Sequence, residues 1–494
     1  MTHSRSVWFP DARRITLLLA RRLSGGAVAS LMLVVLCLPF WLSRLNAASE
    51  WPGATLAPSV AQLSREASEL IAKGFDLLSR NDAAGAEAAF RMAIEAQSEA
   101  APAHRGLGLA LRAQQRWDAA LRELQVATRL DTTDADAQYA LGLVAWSLSA
   151  QLTPAQGTGA KFSSADYRSM ASEAFRKALS LRPRDVSMRV SLAELYLDAE
   201  QAQDALSQAE EAVRLAPDKA SPRLALGRAY FALREEEKAA AEFEAASKLN
   251  PNDGGAHLAL GQLRLFQRRL RQSEEEFRRA IQASPNLAPA YAALAEVLIQ
   301  DGRTAEARGL LEKAVALDPQ DWHSQFQLAA LLNQAGETSR ATELLEEVAR
   351  LNPEFPPARE QLALGLLRRG DVQGASAQVE AMIAQNPQAP EGHRVMALIL
   401  WKQRDFEGSL AECAMALAND PHSPSMLALQ AIGLWQLNRK REAQAAFEQA
   451  AKVEPKVGSA EVFCRLLLCD ARDIGVVSDF LRRNRFLIAP SPLP

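Results

Sequence analysis

Six histidines and four cysteines are the residues of this 494-residue chain best suited to acid–base, nucleophilic or metal chemistry. Their spacing supports none of it. The histidines are His3, His104, His257, His323, His393 and His422. No His-Glu-x2-His stretch is present to hold zinc on one helix face, no Gly-x4-Gly-Lys-Ser/Thr to cradle phosphate, and no Gly-x-Ser-x-Gly to present a nucleophile. His104, His257 and His393 fall at equivalent places in a repeated pattern, which suits packing at a helix start. Cys37, Cys413, Cys464 and Cys469 include no Cys-x2-Cys pair, so a zinc site is not expected. Cys464 and Cys469, five apart, point to different faces of a helix. Cys413 reads as a small buried apolar residue. No disulfide framework, cofactor or catalytic constellation is predicted, and the chain is not expected to be an enzyme.

The elements that would have to position any functional residue are far more legible. Nine prolines recur every 34 residues: Pro183, Pro217, Pro251, Pro285, Pro319, Pro353, Pro387, Pro421 and Pro455. A period of this size marks stacked helical pairs. Proline lacks the N–H a helix interior needs and disfavours helix in the residue before it, so each one reads as a stop followed by a turn. Ser98 and Thr132 hold the stop positions of the first two repeats. Two columns of small residues run through the same register. The first is Gly74, Gly108, Gly142, Ala193, Gly227, Gly261, Ala295, Ala329, Ala363, Ala397 and Ala431. The second is Ala86, Ala120, Ala171, Ala205, Ala239, Ser273, Ala307, Ala341, Ala375, Ser409 and Ala443. Two helices joined by a tight turn approach closely only where side chains are small. Leu226, Leu260, Leu294 and Leu328 precede the first column by one residue. Phe90, Phe175, Phe243, Phe277 and Phe447 follow the second by four.

This pattern resembles the tetratricopeptide repeat (TPR) family, with the fifth repeat matching best through Leu226, Gly227, Tyr230, Ala239, Phe243, Ala246 and Pro251; Arg223 replaces the usual tryptophan. The resemblance implies an all-α, right-handed superhelical solenoid of about eleven helix-turn-helix units over residues 66–455, a capping helix pair and tail over 456–494, and an extra segment at 150–167. That segment reads as a tolerated surface insertion or as an added contact loop. Arg465 and Val477 stand where the two small columns would continue, which argues against another unit stacking beyond the last.

In this family the first helix of each unit lines the concave surface and binds protein or peptide partners. Carried onto this chain, the candidate groove residues are Tyr139, Trp146, Arg228, Phe231, Phe266, Phe326, Arg368, Arg394, Trp401 and Trp435. Phe75, Leu265, Ile299, Leu364, Leu367, Arg105, Arg112 and Lys402 occupy inward places too. Aromatic and arginine side chains are frequent interface anchors, and the alternative for each is packing against the neighbouring unit. The chaperone-tail clamp of the family would need lysine and asparagine where Val190, Glu194, Leu224 and Arg228 stand. The asparagine ladder of its sugar-transferase relatives is replaced by Ala225, Ala259 and Ala293. The function implied is a non-catalytic interaction scaffold, and the alternative is a non-catalytic subunit of a polysaccharide synthesis, export or binding complex.

Residues 1–23 are basic, residues 24–43 contain an apolar run, and residues 44–65 read as a linker. The first 44 residues hold six arginines and one aspartate, while the remainder has 50 basic and 58 acidic residues. A positive leader before an apolar run of this kind is an export signal or a signal anchor. The arginines favour a cytoplasmic start, with the repeats on the extracytoplasmic (periplasmic) side, membrane-anchored or released after cleavage. An acidic remainder gives no footprint for nucleic acid.

Overall fold

The computed structural model describes residues 63–151, 162–469 and 471–484, and every regular element among them is helical. The apolar segment at 24–43 lies outside the described residues. Among the described residues no helix is long and apolar enough to cross a membrane. The chain divides into two compact units, residues 1–319 and 320–494.

The first unit holds seven helical pairs. These are α1 (Arg65–Ser79) with α2 (Ala83–Ala96), α3 (Ala101–Ala113) with α4 (Trp117–Leu130), α5 (Ala135–Gln151) with α6 (Ser164–Leu181), α7 (Val186–Asp198) with α8 (Ala202–Leu215), α9 (Ala220–Ala232) with α10 (Glu236–Leu249), α11 (Gly254–Phe266) with α12 (Leu270–Ala283), and α13 (Ala288–Gln300) with α14 (Thr304–Leu317). The second holds four, α15 (Trp322–Gln334) with α16 (Thr338–Leu351), α17 (Pro356–Arg368) with α18 (Val372–Gln385), α19 (Pro390–Lys402) with α20 (Phe406–Asn419), and α21 (Pro424–Gln436) with α22 (Lys440–Val453). A 3-10 turn at Pro455–Gly458 then leads to α23 (Ala460–Leu467) and α24 (Ala471–Asn484). The fold is an α-solenoid.

Each first helix packs most extensively on the second helix of its own pair. The contact is a fit of unequal sizes. A Cβ added at Gly227 would sit 2.5 Å from the Phe243 ring, at Gly261 2.4 Å from Phe277, and at Gly142 2.5 Å from Phe175. In these pairs glycine stands where the facing residue is phenylalanine; Gly108 departs from the rule, its added Cβ meeting Leu124 at 2.6 Å. In the same register Ala295 precedes Leu311, Ala329 precedes Leu345 and Ala363 precedes Val379, all buried. Only Ala431, sixteen residues before Phe447, combines alanine with the larger ring. The two serines of the second column are satisfied within the contact: Ser273 Oγ donates to the Gly261 carbonyl and Ser409 Oγ to that of Ala397, both at 2.8 Å.

The turn between paired helices needs one residue in the left-handed region. Gly302, Gly336 and Gly370 fill it at φ of 81–84°, but Arg234, Arg268, Arg404 and Asn438 also adopt it. Non-glycine residues pay roughly 1–2 kcal/mol for that conformation.

Successive pairs are joined by a second device. The fourth residue of a first helix reaches back to the carbonyl six residues earlier and forward to an acceptor nineteen residues on. Arg223 donates to Pro217 O at 3.1 Å and to Glu242 at 2.9 Å. Arg359 does the same with Pro353 O and Gln378, and Tyr291 donates to Pro285 O. Two of the three recurring histidines belong to this set, and the third, His257, meets Glu276 at 2.8 Å. His104 faces Glu123 at 2.7 Å and Ser98 O at 3.0 Å; His393 faces Glu412 at 2.6 Å and Pro387 O at 2.8 Å. They are bridges, beyond the packing role their position suggests.

The insertion is partly helical. α5 has 17 residues against 13 in α3, and α6 has 18 against 14 in α4, so each helix gains about one turn. Residues 152–161 lie outside the described part.

Two outcomes follow from these contacts. Gly227→Ala should lower the melting temperature by overpacking Phe243, equivalent to about 1–3 kcal/mol. Combining it with Phe243→Leu should recover part of that loss, because Ala with Leu is the pairing of other repeats; strictly additive losses in a double-mutant cycle would contradict the size match. The histidine bridges set a pH dependence. Burial pulls the His104 and His393 pKa values down, but the acceptors on both ring nitrogens outweigh it and the net shift is upward. The imidazolium, with two N–H donors, is then the favoured form. Its contribution is complete below the ordinary histidine value of about 6.5 and disappears as pH rises through the raised folded-state pKa. Melting temperature should therefore fall more between about pH 6 and about pH 8.5 in the wild type than in His104→Gln plus His393→Gln, with parallel pH profiles as the contrary result.

Candidate functional site

Within each unit the first helices of successive pairs also pack directly on one another, as α1 does on α3, α7 on α9, α9 on α11, α17 on α19 and α19 on α21. The face they share is the one expected to line the inner surface, and the sequence-predicted site residues sit on first helices.

In the first unit most inward polar side chains lock one repeat to the next. Arg105 Nη1 donates to Asp134 and Asp136, each at 3.2 Å, and its guanidinium lies 5.4 Å from the Phe75 ring centroid. Arg182 closes the cluster on Asp136 at 2.6 Å. Tyr139 Oη is 2.8 Å from Ser191 Oγ. Arg228 Nη1 donates to both oxygens of Glu194 at 2.9 Å, and both side chains are largely buried.

Trp146, only 6% exposed, donates its indole N–H to Asp198 at 2.6 Å. Burial is the largest influence on that carboxyl and pushes its pKa up to about 7; nearby Glu194 adds to the rise, while Trp146, Arg228 and Arg168 oppose it. Phe231 and Phe266 meet edge to face at 5.5 Å, half-buried, with the Arg234 guanidinium 4.9 Å from the Phe266 ring centroid.

In the second unit Phe326 packs against Phe355 at 5.0 Å, and Phe355 against Trp322 at 4.8 Å, all three half-buried. Arg394 is ion-paired with Glu360. Arg368 is exposed. Trp401 is 1% exposed and belongs to the core, with the Lys402 ammonium 5.4 Å from its ring centroid. Lys402 in turn pairs at 2.6 Å with Asp473 of α24, itself 4% exposed, and Trp435 meets Phe480 of the same helix at 5.5 Å. The terminal helix thus engages the inner residues of the last two repeats.

The structure places Tyr139 and Trp146 on α5, Arg228 and Phe231 on α9 and Phe266 on α11, where it meets Phe231; Phe326, Arg368, Arg394, Trp401 and Trp435 lie on first helices of the second unit. The acids Asp136, Glu194, Asp198, Glu360 and Asp473 were absent from the predicted set. One signal for them existed: Glu194 and Arg228, like Glu360 and Arg394, are one repeat apart.

Models of the tetratricopeptide repeat match residues 169–220 and 224–288, and again 265–332 and 332–399; a TPR repeat model matches 108–149. Together these matches span more than half of the chain. Among solved structures, that of Pseudomonas aeruginosa pilF is 18% identical, covering 44% of this chain and 99% of its own, with a TM-score of 0.40. TTC0263, a thermophilic TPR protein of Thermus thermophilus, is 24% identical, covering 40% of this chain and 100% of its own, with a TM-score of 0.34. A tetratricopeptide repeat protein from Parabacteroides merdae is 17% identical, covering 61% and 100%, with a TM-score of 0.38. No curated protein matches the chain.

The Glu194–Arg228 lock generates a prediction. Arg228→Met leaves a buried carboxylate unpaired and should cost on the order of 3–5 kcal/mol, whereas Arg228→Met with Glu194→Met should cost clearly less. Equal losses in thermal or urea melts would show that the pair is not coupled.

Proposed function

Since the chain belongs to the tetratricopeptide repeat family, whose members are generally protein-interaction scaffolds, we propose that it is a non-catalytic scaffold that holds a protein or peptide partner on the inner face of its repeats. The observation carrying this reading is the set of half-buried aromatics on that face. Phe231 and Phe266 in one unit, and Phe326 with Phe355 and Trp322 in the other, pack ring against ring and are only half-buried. Rings of this kind supply contact area at low entropic cost and are frequent interface anchors. A membrane tether or export signal at residues 24–43 would place the repeats on the extracytoplasmic side, where envelope assembly, secretion or quality control would supply partners. The competing reading is a non-catalytic subunit of a polysaccharide complex. A glycan surface would favour aromatic platforms flanked by amides and carboxylates; here the acids are largely consumed by inter-repeat ion pairs.

The test is photocrosslinking in the native host. A benzophenone amino acid at Leu265 or Leu364, on first helices, should yield discrete protein adducts; at Met92 or Leu249, exposed on second helices, it should yield none. Adducts of equal yield at all four positions, or a polydisperse glycan adduct from the inner positions, would refute the reading.

A further inference from the structure

Cys464 and Cys469 would face different ways on a continuous helix, but α23 ends between them, at Leu467. Leu468 turns into the left-handed region at φ 52° and ψ 44°, and its N–H donates to the Cys464 carbonyl. The Cys469 N–H donates to the same carbonyl at 2.9 Å. A left-handed residue inside a six-residue hydrogen-bonded closure is the Schellman type of helix end, which sets the side chains of its first and sixth residues against each other. Here both are cysteine. The two thiols are in hydrogen-bonding contact, and both are free and half-buried. Cys413 differs: it is 0% exposed, and burial pushes its thiol up to about 12, so it is shielded from reagents in solvent.

The place of this turn gives it a consequence. A single residue separates Cys469 from α24, whose Asp473 pairs with Lys402 of α19 at 2.6 Å and whose Phe480 meets Trp435 of α21 at 5.5 Å. A bond between the two sulfurs would hold covalently the turn from which α24 departs. Leucine is disfavoured in the left-handed region, so a covalent tie there removes other backbone shapes the turn would otherwise take when α24 lifts away.

We propose that Cys464 and Cys469 form a thiol–disulfide site: a small disulfide oxidant such as glutathione disulfide bridges them and fixes α24 on α19 and α21, and thiol reductants release it. The Cys464 thiolate attacks one sulfur of glutathione disulfide, forming a mixed disulfide and expelling one glutathione thiolate, which takes up the proton that Cys464 gave up. Cys469 then loses its proton and attacks Cys464 Sγ. The Sγ–Sγ bond forms, the mixed disulfide breaks, and the second glutathione leaves with that proton. Two electrons pass from the cysteine pair to the oxidant, which is reduced to two thiols. Burial raises the Cys469 pKa most, contact with Cys464 and the charge of Asp473 add to the rise, and Lys402 opposes it. A thiol of that kind suits the second, intramolecular step, where the sulfur it attacks is already beside it.

The experiment treats the reduced full-length chain with glutathione disulfide, blocks remaining thiols with iodoacetamide and maps the tryptic peptides. Trypsin cuts after Lys456, Arg465 and Arg472, so the bridge joins residues 457–465 to residues 466–472. That linked pair should come from material running as a monomer in non-reducing electrophoresis, and dithiothreitol should abolish it. Amide exchange across α24 should be about tenfold slower in the bridged form than in the reduced one, with α1 to α14 unchanged. Cys469→Ser, shown to be folded by an unchanged circular dichroism melt, should stop at the glutathione adduct of Cys464 and keep the reduced form's exchange in α24. Both cysteines recovered as alkylated or glutathione-modified peptides without the linked pair, or the pair found only in a covalent dimer, would overturn the bridge. A bridge that forms while exchange in α24 stays the same would overturn its hold on the terminal helix.

Discussion

The close crossing of two helices within each pair is the constraint on which the rest of this structure depends. Residue 227 must lack a side chain because the Phe243 ring occupies the space where a Cβ would sit. Ala239, 0% exposed, lies twelve residues further on, where anything larger would push the pair apart. A helical pair of this kind cannot bury its outer apolar surfaces alone, so it is stable only when neighbours stack on it. The tight crossing sets the thickness of each layer, and repetition of that thickness brings successive first helices into contact along one face.

That face is as much a joint as a surface. Arg228 with Glu194 and Arg394 with Glu360 join first helices of neighbouring repeats, as do Tyr139 with Ser191 and Trp146 with Asp198. On the side towards the second helices, the bridges from Arg223, Arg359 and His393 tie the turn carbonyls of Pro217, Pro353 and Pro387 to the pairs that follow them. These polar contacts add direction to a packing interaction that has little of its own. They also determine what is left to offer a partner, since a cation already paired within the protein cannot anchor an incoming carboxylate at full strength.

The sequence made the repeat architecture legible because its cause is periodic. The prolines at 34-residue spacing and the two small columns are direct images of turns and crossings that recur identically. The matched sizes across the crossing were harder to see. Glycine at 227 and alanine at 295 look interchangeable until Phe243 and Leu311 are set against them. The inner face was only partly legible, for two physical reasons. Long polar side chains choose partners according to three-dimensional reach, so Arg228 read as a groove residue without its Glu194. Trp401 and Trp435 read as inward-facing because their repeats are regular, but the terminal helix, which follows no repeat rule, reaches that end through Asp473 and Phe480. The histidines show the same limit: their shared position was visible, while the carbonyl and glutamate they bridge were not.

Native-state hydrogen exchange on the full-length chain carrying Ala239→Leu tests the helix-crossing constraint most directly. Forcing that one crossing apart should strip protection from amides of α9 and α10, weaken it in the flanking α8 and α11, and leave distant pairs such as α3 with α4 unchanged. Protection indistinguishable from wild type in α9 and α10, or a uniform loss along the whole chain, would contradict the view that each pair is held by its own close contact.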